Sequence, residues 1–161
     1  MPPGGEGARI DQALDEAFRI GMEAKIPVNV WHLKLGGRAH WGRMPEVVRR
    51  IEEARAAGLD VAANVYPYPA SSTSLTTLAP DWAMEGGYDD FQARLRDPEQ
   101  RARIAATLRD HVDRRGDRGI YVARIGNPGH AQFQKHFVEE IAAKMNVPAE
   151  EALIRLFLEN D

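Results

Sequence analysis

Apolar residues in the first part of the chain recur at helical spacing and then gather in short runs. Between residues 10 and 24 they fall near one face of a helix, with acidic residues mostly off that face. These apolar positions are Ile10, Leu14, Ala17, Phe18 and Gly21. Lys25-Ile26-Pro27 breaks the helix, and VNVW at 28–31 is rich in the β-branched and aromatic residues that strands favour. The pattern predicts a helix followed by a strand over 26–34.

The next segment repeats the alternation of helix and strand. Pro45 suits the first turn of a helix over 45–57, where apolar residues again recur at helical spacing. Gly58 is suited to the C-terminal stop of that helix, and LDVAANVY predicts a second strand over 59–66. Strand, helix and strand with connections of this length form a βαβ unit with parallel strands and a right-handed crossover. The predicted fold class is therefore α/β.

The character of the sequence changes after Tyr66. Residues 66–87 are polar and turn-rich, and three prolines there block regular structure. The elements predicted beyond them are helices over 88–96 and 99–115, a short strand over 119–125, and two final helices separated by residues 146–148. We therefore predict two regions, residues 1–70 with the βαβ unit and residues 71–161 with a loop and a mostly helical insertion.

Composition and charge exclude several classes of function. The chain has 161 residues, no cysteine and a formal net charge of -3, so it holds no disulfide and no thiolate metal site. The negative charge argues against a nucleic-acid partner, which usually needs a basic surface. No apolar run approaches the roughly 20 residues of a membrane span, and MPPGGEGARI lacks the apolar core of a signal peptide. We expect a soluble, cytoplasmic protein that binds neither nucleic acid nor membranes.

Three polar side chains follow the two predicted strands. His32 and Lys34 share one face of the first strand if that strand continues to residue 34, and Tyr66 ends the second. Ligands of α/β folds bind at the carboxyl ends of strands, so we expect these groups to converge. Neutral histidine is a common metal ligand, and a lysine supplies a cation for a carboxylate. The residues alone leave open the alternative that His32 is a hydrogen-bonded structural residue.

The same loop contains two tryptophans, Trp31 and Trp41. Large aromatic side chains contribute mostly buried area to protein structures. We therefore expect both tryptophans to be packing residues rather than recognition residues.

The string WHLKLGGRAHWGRMPEVVRRIEEARAAGLDVAANVYPYPASSTSL resembles the middle of the N-acyl-D-amino-acid deacylase (D-aminoacylase) family of the amidohydrolase superfamily. The blocks that carry the resemblance are His-Leu-Lys after a strand, a Gly-Arg-x-x-Trp-Gly-Arg loop, Gly-Leu-Asp-Val and Tyr-Pro-Tyr. A weaker block covers Trp82 to Gly87, Leu95 to Asp97 and the helical end.

The resemblance implies a zinc-dependent hydrolase of the linear amide bond of N-acyl-D-amino acids, built on a (β/α)8 TIM barrel. It implies that His32 is a zinc ligand, that Lys34 pairs with a substrate carboxylate, and that Tyr66 contacts the substrate beside it. Zinc would suit that chemistry, because it lowers the pKa of bound water towards about 7 and polarises the acyl carbonyl.

Other motifs of the family have no counterpart in the sequence. The His-x-His strand, the metal-bridging cysteine and the Gly-Ser-Asp-Gly strand are absent, and the place of a further His-x-Arg motif falls near Pro2. A complete barrel typically needs about 250 residues. We therefore expect a partial barrel, an internal piece of a deacylase that is inactive by itself.

A non-catalytic α/β binding or assembly module derived from a barrel fragment is the alternative interpretation. For either, unpaired strand edges predict self-association.

Overall fold

The computed structural model describes residues 6–116 and 118–159, so Pro2 and the motif expected near it lie outside the described residues. The chain divides into two compact units, Met1–Ser71 and Ser72–Asp161. The assignment of residues 1–70 to a partial barrel and of residues 71–161 to an insertion stays a prediction.

The first unit is a helix followed by a βαβ motif. Its elements are α1 (Ile10–Ala24), β1 (Val28–Val30), α2 (Met44–Ala56) and β2 (Val61–Ala63). The two strands pair in parallel, with Val28 opposite Val61 and Val30 opposite Ala63. This arrangement confirms the α/β class and the parallel βαβ unit.

Helix α1 ends where the sequence pattern predicts. Lys25 adopts a left-handed conformation with φ of 55°, and the Ile26 N–H donates to the Gly21 carbonyl at 3.1 Å. Pro27 then prevents any continuation of the helix. The apolar faces of α1 and α2 close over the two strands. The buried core of this unit consists of Ile10, Leu14, Val30, Leu33, Val47, Ile51, Leu59 and Val61.

Both strands are shorter than predicted, so the ranges 26–34 and 59–66 are wrong. Pro27 has no N–H for pairing at the start of β1. After Val30 the chain turns, and His32 takes a left-handed conformation with φ of 41°, which ends the extended backbone. The sequence pattern identified the apolar run correctly, but the turn at His32 determines where the pairing of β1 with β2 ends.

The two tryptophans are not packing residues, and that prediction is wrong. Trp31 is 66% exposed and Trp41 is 74% exposed. Trp31 follows the last residue of β1, and Trp41 lies in the glycine-rich loop, so neither is held against the α1–α2 core.

Within residues 6–116 and 118–159, β1 bonds only to β2. Self-association through the outer strand edges stays a prediction.

The second unit is mostly helical. Its elements are α3 (Asp81–Met84), α4 (Tyr88–Arg96), α5 (Pro98–Arg115), β3 (Tyr121–Val122), β4 (His136–Phe137), α6 (Val138–Met145) and α7 (Ala149–Leu158). The short antiparallel pair β3–β4 joins Tyr121 to Phe137 and Val122 to His136. Strand β3 is shorter than the predicted 119–125, and β4 was not predicted.

Local capping explains the limits of several of these helices. Asp97 caps α5 by accepting a hydrogen bond from the Gln100 N–H at 2.8 Å, and Pro98 follows it in the first turn. At the other end of the unit, the Phe157 carbonyl of α7 accepts from Tyr88 Oη at 2.9 Å and from Gln92 Nε2 at 2.6 Å. Side chains of α4 therefore satisfy a carbonyl at the end of α7.

No helix in the described part of either unit combines the length and apolarity that crossing a membrane requires.

Candidate functional site

The carboxyl ends of β1 and β2 stay joined beyond the last paired strand residues. The Leu33 N–H donates to the Asn64 carbonyl at 2.8 Å, and the Asn64 N–H donates to the Val30 carbonyl at 2.9 Å. Leu33 is buried in the core. The buried leucine and its backbone bond fix the segment that carries His32 and Lys34 on either side of it.

The prediction that His32 and Lys34 share one face of a strand is wrong, because β1 ends at Val30, before both residues. Histidine is among the residues that tolerate the left-handed region seen at His32. The turn nevertheless brings the two side chains together, with Lys34 Nζ 3.2 Å from His32 Nδ1. Lys34 Nζ also lies 5.7 Å from the centroid of the Tyr66 ring, within the range of a cation–π contact. The structure therefore brings all three predicted residues together.

A fourth group, Glu6, completes the cluster. Its Oε1 lies 2.5 Å from Lys34 Nζ and 3.4 Å from His32 Nδ1. The side chains of Lys34, Glu6 and His32 are 24%, 40% and 54% exposed, so the ammonium is the most covered of the three. The cluster lies at an open rim where solvent screens the charges.

The glycine-rich loop after β1 holds Glu6 in place. The Gly36 N–H donates to the Glu6 carbonyl at 2.7 Å, and Gly37 follows with φ of 89°, a conformation that favours glycine. At the far end of the loop, Arg43 Nη2 donates to Asp11 Oδ2 at 3.0 Å. Hydrogen bonds to Asp11, and then to Glu46, raise the pKa of the Arg43 guanidinium. These contacts connect the loop to α1 and to the segment before it.

Sequence reasoning missed Glu6 because no local pattern marks it. Twenty-eight positions separate it from Lys34. The contact depends on the backbone bond from Gly36, which no spacing rule predicts. A methyl group at Gly36 would lie 3.6 Å from the Glu6 carbonyl oxygen, an ordinary contact, so the identity of residue 36 as glycine gave no signal for this approach.

The described residues do not form a zinc site by themselves. Catalytic zinc usually has three protein ligands. Among residues 6–116 and 118–159, no group of three or more His, Asp or Glu side chains could hold a metal ion. At the strand ends, His32 offers one imidazole and Glu6 one carboxylate, and the Lys34 ammonium contacts both. The zinc that the resemblance implies is therefore not accounted for by this part of the chain.

An open groove of about 460 Å³ lies between α1 and α2, away from the strand ends. The apolar side chains that line it include Phe18, Met22 and Leu59. Its rim carries charges that pair with one another, such as Arg50 with Asp15. Neither His32 nor Lys34 nor Tyr66 lines this groove.

The fold of the chain is similar to part of a metal-dependent deacylase of known structure. That protein is N-acyl-D-glutamate deacylase from Bordetella bronchiseptica, whose crystal structure is complexed with zinc and a phosphonate inhibitor that mimics the tetrahedral intermediate of the reaction. The TM-score is 0.59 at 24% sequence identity, over 94% of this chain and 24% of that one. At this level of identity the likeness establishes the fold alone.

The chain is also similar in sequence to two curated relatives. The chain is 40% identical over 70 residues to N-acyl-D-glutamate deacylase, and 46% identical over 70 residues to D-aminoacylase, both from Alcaligenes xylosoxydans xylosoxydans. Each match covers 44% of this chain but only 14% of the relative. No family model matches the chain. The chain is therefore similar to a part of the N-acyl-D-amino-acid deacylases, which are hydrolases of amide bonds.

Proposed function

We propose that this chain forms the substrate-anchoring part of a zinc-dependent amidohydrolase with a (β/α)8 TIM barrel. The reaction is hydrolysis of the amide of an N-acyl-D-amino acid, which releases the acyl group as a carboxylic acid and frees the D-amino acid. In this proposal β1 and β2 are two of the barrel strands, and residues 72–159 belong to a helical insertion. The matches to two deacylases at 40% and 46% identity support the assignment.

The observation that carries the proposal is the Lys34 ammonium at the carboxyl ends of two parallel strands. An N-acyl-D-amino acid has one charged group next to its amide, the α-carboxylate, and an ammonium in a fixed position can bind it by a charge-assisted hydrogen bond. Lys34 is anchored by buried Leu33 and lies near the Tyr66 ring, which would contact the substrate beside the carboxylate. Together Lys34 and Tyr66 would orient the amide for attack.

His32 is proposed as one zinc ligand. When bound, zinc would supply a water of lowered pKa and polarise the acyl carbonyl. The remaining ligands would have to come from outside the described residues, since these contain no group of three donors. The proposal therefore concerns a protein larger than the described part of the chain.

A chimera tests the proposal. Residues 6–71 of this chain, the described part of the first unit, replace the segment of the Alcaligenes N-acyl-D-glutamate deacylase that aligns with them. Hydrolysis of N-acetyl-D-glutamate is then measured with zinc present. Lys34→Met should raise KM by about 10- to 100-fold, because a hydrogen bond between charged groups contributes about 1.5–3 kcal/mol. Lys25→Met is the matched control, since Lys25 is exposed in the same unit. It should leave KM unchanged.

His32→Asn tests the ligand assignment in the same chimera. Asparagine tolerates the left-handed conformation of this position but removes the imidazole. We expect loss of activity together with loss of bound zinc, measured by elemental analysis. Full activity and full metal content in this variant would refute the role of His32. A chimera that folds but neither binds zinc nor hydrolyses substrate would favour the non-catalytic module instead.

A further inference from the structure

The Lys34 ammonium, which the proposed function needs for a substrate carboxylate, already faces a carboxylate of its own chain. Glu6 Oε1 lies 2.5 Å from Lys34 Nζ, while the other neighbour of the ammonium is His32 Nδ1 at 3.2 Å. An ammonium has three N–H donors. One of them is directed to Glu6, and a second to His32 in the tautomer whose Nδ1 accepts, so at least one remains for a ligand.

The charge of the cluster bears directly on anion binding. Lys34 contributes one positive charge and Glu6 one negative charge, so the charges of these two side chains cancel. A substrate carboxylate that reached the third donor would lie near the Glu6 carboxylate. Two like charges about 4 Å apart repel by about 1 kcal/mol in a water-like medium and by more where water is excluded. The side chains of Lys34 and Glu6 are partly exposed to water, so the lower repulsion of about 1 kcal/mol applies.

We infer that Glu6 is an internal counter-ion that competes with the substrate carboxylate for Lys34, and so limits the affinity of the site for N-acyl amino acids. The inference rests on the proposed function of Lys34. Glu6 suits this role because its backbone is fixed independently, through the Gly36 N–H at 2.7 Å. Its side chain can therefore leave the ammonium without releasing the segment that precedes α1.

The experiment removes the negative charge of residue 6 and keeps the shape of its side chain. Glu6→Gln keeps an oxygen that can accept from Lys34 but removes the negative charge. The full 161-residue chain is titrated with N-acetyl-D-alanine, and the amide signals of Leu33 and Lys34 are followed by NMR. Glu6→Gln should lower the dissociation constant about fivefold relative to the parent chain. Glu16→Gln removes an exposed carboxylate of α1 instead and should leave it unchanged.

Two further measurements separate this inference from the proposed function. The neutral N-acetyl-D-alaninamide should bind the parent and Glu6→Gln equally, since it has no carboxylate to be repelled. Lys34→Met should abolish the carboxylate preference in both backgrounds. If Lys34→Met leaves binding of N-acetyl-D-alanine intact, or no variant binds it, the proposed role of Lys34 fails and the inference fails with it. If Lys34→Met weakens binding but Glu6→Gln does not strengthen it, only the role of Glu6 is overturned.

Discussion

Helix α1 packs closely on the strand layer of the first unit at Gly21. A methyl group at this position would lie 2.5 Å from Val28 Cγ2 and 2.7 Å from Leu59 Cδ1, with the Ile26 carbonyl oxygen at 3.3 Å. Both side-chain distances are far below van der Waals contact. Gly21→Ala must therefore displace α1 or shift the two side chains out of their rotamers.

The magnitude follows from two opposing effects. Overpacking a close-packed core costs about 1–3 kcal/mol. Alanine in a helix interior is favoured over glycine by about 1 kcal/mol. We therefore expect Gly21→Ala to destabilise the first unit by about 0–2 kcal/mol, although the same exchange at an exposed helical position stabilises.

Hydrogen exchange of the Leu33 and Asn64 amides is the assay, because both N–H groups are bonded between the strand segments. The control is the pair Glu16→Gly and Glu16→Ala at an exposed position of α1, whose difference reports helix propensity alone. The free-energy change of replacing glycine by alanine should be about 1–3 kcal/mol less favourable at position 21 than at position 16. An equal benefit of alanine at both positions would refute the close approach of α1 to the strands.

Two further predictions concern the second unit. Arg109→Met should lower the urea midpoint, because Arg109 Nε donates at 2.9 Å to Glu150, whose side chain is only 10% exposed and would lose this partner. Arg114→Met removes an exposed pair with Asp110 and should lower the midpoint less; equal effects of the two variants would contradict the role of Glu150 burial. Burial, and then the Arg115 guanidinium, lower the pKa of His111 below its ordinary 6.5, so the unfolded state binds a proton more readily and stability should fall as pH drops below about 6.5. His111→Gln should flatten this part of the stability–pH curve, and an unchanged slope would disprove the assignment.

Apolar periodicity, together with prolines and glycines between the apolar segments, was sufficient for the order of helices and strands in the first unit. Apolar residues at helical spacing, with Pro27, Pro45 and Gly58 between them, predicted a helix and a parallel βαβ unit, which the structure confirms. The signals are strong there because each combines a buried face with a residue that restricts the backbone. The ends of the strands were not predictable in the same way.

The candidate site was predicted by position, although one step of the reasoning was wrong. His32, Lys34 and Tyr66 do converge, but through a left-handed turn at His32 rather than through strand alternation. Glu6 could not be found, because its contact with Lys34 depends on a backbone bond across the loop. The exposure of Trp31 also escaped prediction, since sequence reports the size of a side chain and not whether anything covers it.

The central claim is that an ammonium at the ends of two parallel strands receives the substrate carboxylate. A crystal structure of the chimera with a phosphonate analogue of an N-acyl-D-amino acid measures this directly. We predict the carboxylate of the analogue about 2.7–3.2 Å from Lys34 Nζ and beside the Tyr66 ring. A carboxylate bound elsewhere, with Lys34 Nζ still facing only Glu6 and His32, would contradict the account.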